Sequence, residues 1–313
     1  MKKGLKMAVD IGGMTIANPV MPASGAFGEG MDKLIDFNLL GALVPKSITK
    51  YPQRGNRNPR ACETQGGMIN SIGIQSKGID HYLQETIPYY EQYCAPLISS
   101  ISAESIDEFV EMSNIIASVP SVVALELNIS CPNLKNNGQA FGMSDAITYQ
   151  LVDRVRETTD KPILVKLTPN VTDIQSIALA AERAGADSLV VANTPLAMAI
   201  DIHSRRPKIG NVMGGLSGPA IKPIIVRQIY QVHEVSRLPI IGCGGVMTAN
   251  DAIEMMLAGA SAVQVGTANF VSPTAMIDII QGIQTYMEEH QLYHIDKLIG
   301  GVMVRNQWEK DYI

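Results

Sequence analysis

Residues 126–142 read ELNISCPNLKNNGQAFG, and the rest of the chain is organised around them. The stretch begins inside an apolar run, Ala124-Leu125-Glu126-Leu127, and breaks at Asn128. It then passes through Cys131-Pro132-Asn133 into a polar loop punctuated by glycine. An apolar strand ending in Asn, Ser, Cys and Asn is the form of the mouth of an α/β barrel. There the strand fixes the position and the residues just past its C-terminal end do the chemistry. Of the four cysteines, at 62, 94, 131 and 243, only Cys131 has this setting. A free cysteine is most often a small buried hydrophobe; Cys243, next to Ile240-Ile241-Gly242, fits that description, and Cys94 is grouped with it. A thiolate at Cys131 can serve as base or nucleophile. No histidine lies within reach in sequence to support a papain-like nucleophile, so proton abstraction is the simpler role.

Working outward, eight short apolar runs each end in polar or Gly residues: 20–24, 42–47, 97–102, 124–130, 163–168, 188–194, 239–244 and 262–267. Near-continuous apolar runs fit parallel strands covered on both faces. Helical patterns separate most of them, at 106–117, 146–158, 173–184, 221–235 and 249–257. Ala-Gly-Ala follows two of these, where glycine ends a helix before the next strand. Eight strand units with helical crossovers predict an α/β fold, a (β/α)8 TIM barrel. Ahead of it, residues 6–10 and 13–17 alternate around Gly12-Gly13 as a short hairpin that caps one end. The long connections, 48–96, 131–145 and 195–220, all leave the C-terminal face, so the extra chain is expected over the mouth. The first is long enough to hold a small sheet of its own. With no linker or composition shift, residues 1–313 are read as a single domain.

The bulk numbers exclude more than they select. With 46% hydrophobic and 18% charged residues, the 313-residue chain can bury a large core. A net charge of -5 with no long basic block speaks against a nucleic-acid partner. No run of 18 apolar residues spans a membrane. The N-terminus has two lysines but no apolar segment behind them, so no secretory signal is read there. The cysteines lack CxxC spacing and the five histidines form no HxxH or HExxH pair, so no metal site is expected. The cysteines read as free cytosolic thiols, which places the protein in the cytoplasm.

The strand ends gather Ser24, Lys46, Asn128, Cys131, Lys166, Asn193 and Thr194. Polar groups converging from several strands are what a barrel active site requires. An unpaired ammonium is costly to bury. No Asp or Glu occupies the matching strand ends, so ligands are the expected anions for Lys46 and Lys166, with a plain salt bridge as the alternative for either one. The last two strands run into Gly242-Cys243-Gly244-Gly245-Val246 and Gly266-Thr267-Ala268-Asn269. Loops after strands 7 and 8 are the usual phosphate cradle of a barrel, and Gly214-Gly215-Leu216-Ser217-Gly218-Pro219 is expected to add backbone contacts.

These motifs resemble those of the family-1 dihydroorotate dehydrogenases, flavin barrels of pyrimidine synthesis. The likeness runs from Asn18-Pro19 to about Ser272-Pro273. It rests on Pro22-Ala23-Ser24-Gly25, Lys46, Asn70-Ser71-Ile72-Gly73, Asn128-Ile129-Ser130-Cys131-Pro132-Asn133 and Lys166-Leu167-Thr168-Pro169-Asn170. Asn193-Thr194, the 214–219 run and Gly244-Gly245-Val246 complete it. The chain is most similar to the branch whose flavin subunit pairs with an iron–sulfur (2Fe-2S), FAD-bearing subunit that passes electrons to NAD. The resemblance implies FMN on this chain, with its phosphate at Gly244, Gly245, Gly266 and Thr267, and Lys166 near the N1/O2 edge of the ring. Ser24, Lys46, Ser47, Ser100, Asn128, Val191 and Gly218 would complete the FMN site. Lys46, Asn70, Ser71, Ile72, Gly73, Ile74, Asn128, Asn133, Asn193 and Thr194 would hold orotate. Cys131 would take the proton from C5 of dihydroorotate, from a loop (about 131–142) that closes over the substrate. A homodimer core carrying the partner subunits is implied as well.

Two departures stand out. Relatives carry Asn at the third strand end, where this chain has the shorter Ser100, so FMN is expected to be held less tightly or through a water. The C-terminal segment with Trp308 has no assigned role; simple packing is preferred over a subunit anchor. Other readings are a fumarate-linked enzyme, another pyrimidine substrate, or a non-catalytic barrel that binds a phosphorylated ligand. The last has no use for Cys131 or Lys166.

Overall fold

The computed structural model describes residues 4–130 and 140–304. Cys131, Asn133 and Trp308 lie outside the described residues. Seven parallel strands form the central sheet, in the spatial order Val20–Pro22, Ala260–Val265, Ile240–Cys243, Ser188–Val191, Ile163–Lys166, Val122–Asn128 and Leu97–Ile101. Their side chains are buried on both faces, every residue of Leu97–Ile101 and of Ala260–Val265 included. That is why they read as apolar runs rather than alternations.

The ring closes through residues 41–48. Gly41 N–H donates to the Val20 carbonyl on one side, while Leu43 and Ile48 donate to Pro96 and Ser100 on the other, at 2.8, 2.8 and 2.9 Å. Leu43 and Ile48 make isolated parallel bridges to Leu97 and Ile101. The expected second strand, 42–47, is thus an extended segment pinned at two points and not a continuous ladder. Pro45 lies between the pins and has no N–H to give. With this correction the (β/α)8 plan holds.

Four crossover helices start from side-chain caps that the sequence supplies. Ser105 caps Ile106–Ala117, Ser144 caps Asp145–Arg156 and Asp173 caps Ile174–Arg183; Thr248 and Asp251 form a capping box on Ala249–Leu257. Lys222–His233 follows a single 3-10 turn, Pro219–Ile221. One long helix was missing from the sequence reading. Ala275–Glu289 follows the last strand and buries Met276, Ile279, Ile280, Ile283 and Met287 at helical spacing. Cys94 is exposed, so its grouping with buried cysteines is corrected; Cys243 is buried.

The N-terminal hairpin is present but short, Val9–Asp10 against Thr15–Ile16. A Cβ on Gly12 would fall 2.3 Å from the Asp187 carbonyl oxygen. The turn is therefore pressed against the chain entering Ser188–Val191, at the N-terminal end of the barrel.

At the opposite end, the first and third insertions share one antiparallel sheet of four strands: Leu196–Ala197, Gly214–Ser217, Gly67–Asn70 and Ala61–Thr64. Gly215 lies opposite Asn70, and Ser217 opposite Met68. The sheet expected within the first insertion is thus completed by strands from the third. Among the described residues no helix is long and apolar enough to cross a membrane, and no His/Cys/Asp/Glu group could hold a metal ion.

Candidate functional site

Side chains alternate along a strand, so Ala124, Glu126 and Asn128 share the face that points into the barrel. Glu126 is entirely buried there. Its Oε1 accepts from the Ser100 hydroxyl at 2.8 Å and its Oε2 from Gln264 Nε2 at 2.5 Å. Gln264 Oε1 in turn accepts from Lys166 Nζ at 2.7 Å, and Lys166 Nζ lies 3.9 Å from Glu126. Four strands thereby converge on one buried polar cluster. Lys166 is 4% exposed and Glu126 and Gln264 are 0%, so water does not dilute the attraction.

Burial works against the Lys166 ammonium, but the neighbouring Cys243 sulfur and the Glu126 carboxylate outweigh it, and its pKa lies above the ordinary lysine value. Burial pushes the Cys243 thiol up. Cys243 is then a neutral thiol at neutral pH, and Glu126 is the charge that balances Lys166. For Lys166 the salt-bridge alternative is the one present, although not from a strand end: the carboxylate sits on the same strand as Asn128, one inward-facing position below it. Removing one partner of a buried pair like this costs roughly 3–5 kcal/mol.

The remaining residues sort by access. Ser24, Lys46, Asn128, Asn193, Thr194, Asn70, Gly244, Gly266 and Thr267 are partly open at the C-terminal end of the barrel. Ser47, Ser100, Val191, Gly218 and Gly245 are enclosed. The Ser47 hydroxyl lies 2.9 Å from that of Ser100 and 3.3 Å from that of Ser24. Ser100 does not stand in simply for a shorter asparagine at the mouth; its hydroxyl is committed inward to Glu126. The Lys46 side chain runs beside Gly25, where a Cβ would meet its Nζ at 3.1 Å. This packing brings the ammonium to the end of the first strand.

The amides are held in place by one another. Asn193 Nδ2 donates to Asn128 Oδ1 at 3.1 Å, linking the fourth and sixth strands above Lys166. Asn193 Oδ1 accepts from the Thr194 N–H at 2.8 Å. Asn170, quoted above only as part of a motif, clamps this loop: it donates to the Thr194 carbonyl at 3.2 Å and accepts from Leu196 N–H at 2.8 Å. Asn70 ends its strand opposite Gly215, whose lack of a Cβ admits Thr194. The glycines at 214 and 215 therefore serve the close approach of Asn70 and Thr194. Beyond Asn70, the Ser71 hydroxyl accepts from Asn56 at 2.8 Å and the Ile72 carbonyl from Asn56 N–H at 2.9 Å. Ile74 then adopts φ 46°, a left-handed conformation that costs a β-branched residue about 1–3 kcal/mol. Such strain is held by the surrounding packing, here at a segment named for substrate binding.

Gly245, at φ 83°, packs where a Cβ would fall 2.8 Å from the Lys222 nitrogen. The seventh-strand turn thus touches the start of Lys222–His233, the positive end of a helix dipole. Gly266 has room, with only Ala23 Cβ near its side-chain direction, at 3.6 Å. Thr267 and Ser217 hydroxyls meet at 2.9 Å. An ammonium beside amides that both donate and accept suits the pyrimidine-like edge of a flavin, and hydroxyls beside a helix start suit its phosphate. The donor set fits the group.

Sequence reasoning missed Glu126, Gln264, Asn56 and the clamp made by Asn170. For Glu126 the signal was present: it stands two residues before Asn128, on the same face of the strand.

A family model described as dihydroorotate dehydrogenase matches residues 6–287. A dihydroorotate dehydrogenase B (NAD(+)), catalytic subunit, from Alkaliphilus metalliredigens is 47% identical over 300 residues, covering 95% of this chain and 99% of the relative. Proteins of the same description from Desulforudis audaxviator and Geobacillus kaustophilus are 47% and 46% identical, covering 95% and 94% of this chain and 97% and 95% of theirs.

Proposed function

The chain belongs to the dihydroorotate dehydrogenase family, and from that membership we propose that it is the catalytic subunit of an NAD-linked enzyme oxidising dihydroorotate to orotate in pyrimidine biosynthesis. The observation that carries the reading is the convergence of Lys166, Asn128 and Asn193 at adjoining strand ends, inside a barrel that is close to half identical to those relatives. The chain is read as one FMN-binding barrel domain in the cytoplasm. A homodimer core with an iron–sulfur, FAD-bearing partner subunit is the assembly this reading requires.

When bound, FMN supplies the two-electron acceptor for the hydride leaving C6 of dihydroorotate. Asn70, Asn128 and Asn193 pair with the amide edges of the pyrimidine, and Thr194 adds a hydroxyl. Lys46 reaches from the second segment, 42–47, to lie between flavin and substrate, where it can contact both. Cys131 takes the proton from C5. Lys166 places its positive charge where negative charge develops on reduction. Gly244, Gly245, Gly266 and Thr267 hold the phosphate.

The test is an anaerobic titration of the purified chain. Its visible flavin band is expected to bleach on addition of dihydroorotate. A yellow protein that does not bleach would remove dihydroorotate as substrate for this chain alone, and a protein that cannot be loaded with FMN would remove the flavin reading. Lys166→Ala is expected to slow that bleaching on the order of 10²-fold, the usual loss for one charge-stabilising group, with orotate affinity changed far less. If affinity alone fell, Lys166 would belong to the substrate site.

A further inference from the structure

Barrel interiors are ordinarily filled by apolar side chains, and replacing a buried ion pair by such residues is often neutral or stabilising. A fully enclosed carboxylate in this interior therefore calls for a use other than stability. We propose that Glu126 is a positioning residue for the reaction: it keeps Lys166 protonated and aimed at the mouth, with Gln264 as a fixed bridge. This rests on the reading above that Lys166 faces the flavin.

The geometry shows how the bridge is fixed. Both Glu126 oxygens are used, Oε1 by Ser100 and Oε2 by Gln264 Nε2. A carboxylate accepts only, so it holds the Gln264 amide with Nε2 toward itself. That leaves Oε1 as the atom shown to Lys166, 2.7 Å from Nζ. The opposite amide orientation would point N–H groups at an ammonium. Glu126 thus sets the orientation of Gln264, and Gln264 sets the position of Lys166. At 3.9 Å the carboxylate also acts directly on Nζ through its charge.

Among the described residues, two titratable groups face Lys166: Glu126 from the fourth strand and Cys243 from the seventh. Gln264 from the eighth strand is uncharged. Burial keeps Cys243 a thiol, so it cannot replace Glu126 as counter-charge. Without Glu126 the fixed carboxylate is lost and, among the described residues, the Cys243 sulfur is the one group left to oppose desolvation, which drives a buried lysine downward, in extreme cases by several units. The sign follows: a lysine whose pKa has fallen is charged at low pH and loses its charge as pH rises through the new value.

The midpoint potential of FMN bound to the full chain reads this out without turnover. In Glu126→Gln, the difference from wild type is expected to be flat at about pH 6. Toward about pH 10 it should grow more negative, tenfold per pH unit in the reduction equilibrium, which is about 30 mV per unit for a two-electron couple. The extra slope arises because reduction must then also return a proton to Lys166. Glu126→Asp, which keeps the charge, is expected to remove most of that slope. The double variant Glu126→Gln/Lys166→Met is expected to match Lys166→Met alone. A difference that stays constant with pH overturns the proposal, as does a double variant in which the two changes simply add. Lys166→Met leaving the potential unmoved would instead remove the placement of Lys166 at the flavin. If Glu126→Gln does not accumulate as folded protein, the double variant decides: recovery of folded protein supports the pairing, and continued failure overturns it.

Discussion

Replacing Cys131 by alanine is expected to leave FMN bound and to slow its reduction by dihydroorotate by about 10²–10⁴-fold, the range supplied by one well-placed general base. The carboxylate nearest Asn128 in sequence, Glu126, is buried and committed to Ser100 and Gln264, and Pro132 and the polar residues after it set Cys131 apart from the three remaining cysteines. The ends of its loop are tied: Gly142 N–H donates to the Ile129 carbonyl at 2.9 Å, so the chain leaves the fourth strand and returns at one fixed point. The Ser130 hydroxyl, adjacent to the thiol in sequence, is buried and has no partner among the described residues. Rapid mixing under anaerobic conditions measures the effect directly. Near-normal reduction in the alanine variant would take the base role away from Cys131. Cys131→Ser is expected to keep part of the rate and to gain with rising pH, since a hydroxyl is the poorer base at neutral pH.

Gly67→Ala is expected to be the most damaging single methyl in the sheet over the mouth. Its Cβ would fall 2.1 Å from the Ser217 carbonyl oxygen, and a Cβ on Gly218 would lie 2.7 Å from the Gly67 Cα. Both obstacles are backbone, so no side chain can turn aside to make room. Forcing atoms into a packed site costs about 1–3 kcal/mol, a loss visible as a fall in Tm. The sharper readout is the site. Gly67 and Asn70 share a strand, and Gly215, opposite Asn70, lies against Thr194. Orotate affinity, followed by the change in the flavin spectrum, should fall at least about tenfold, the equivalent of about 1.4 kcal/mol. Unchanged affinity in a destabilised protein would mean that this sheet does not position Asn70.

Much of the barrel could be read from the chain because parallel strands buried on both faces leave an unbroken apolar mark. The second strand carried the same mark, yet apolarity does not report a missing N–H, and Pro45 breaks the ladder there. The helix Ala275–Glu289 has a clear 3.6-residue pattern, but it follows the last strand, so no second strand brackets it as one does the crossover helices. The strand-end residues Lys46, Asn128, Lys166 and Asn193 were legible because polar groups ending apolar runs are locally conspicuous. Glu126 was not legible as a site residue, although it lies within residues 126–142. Its partner Gln264 is 138 residues away, and no local pattern joins a carboxylate to a bridge at that distance. The sheet at the mouth is illegible for the same reason, since half of its strands come from each of two distant insertions.

That divided origin bears on the order in which the molecule is assembled. Ser217 and Met68 are separated by 149 residues, and the third to sixth strands of the barrel lie between them. Bringing such remote segments together costs loop-closure entropy that only prior folding of the intervening chain can lower. The cover of the active site is therefore among the last parts to form and the first to open. Its amides at residues 214–217 should exchange with solvent before those of the barrel strands beneath. Ligands that touch both insertions act as the closing stitch, so a newly made chain completes its pyrimidine site only once the strands between those insertions are in place.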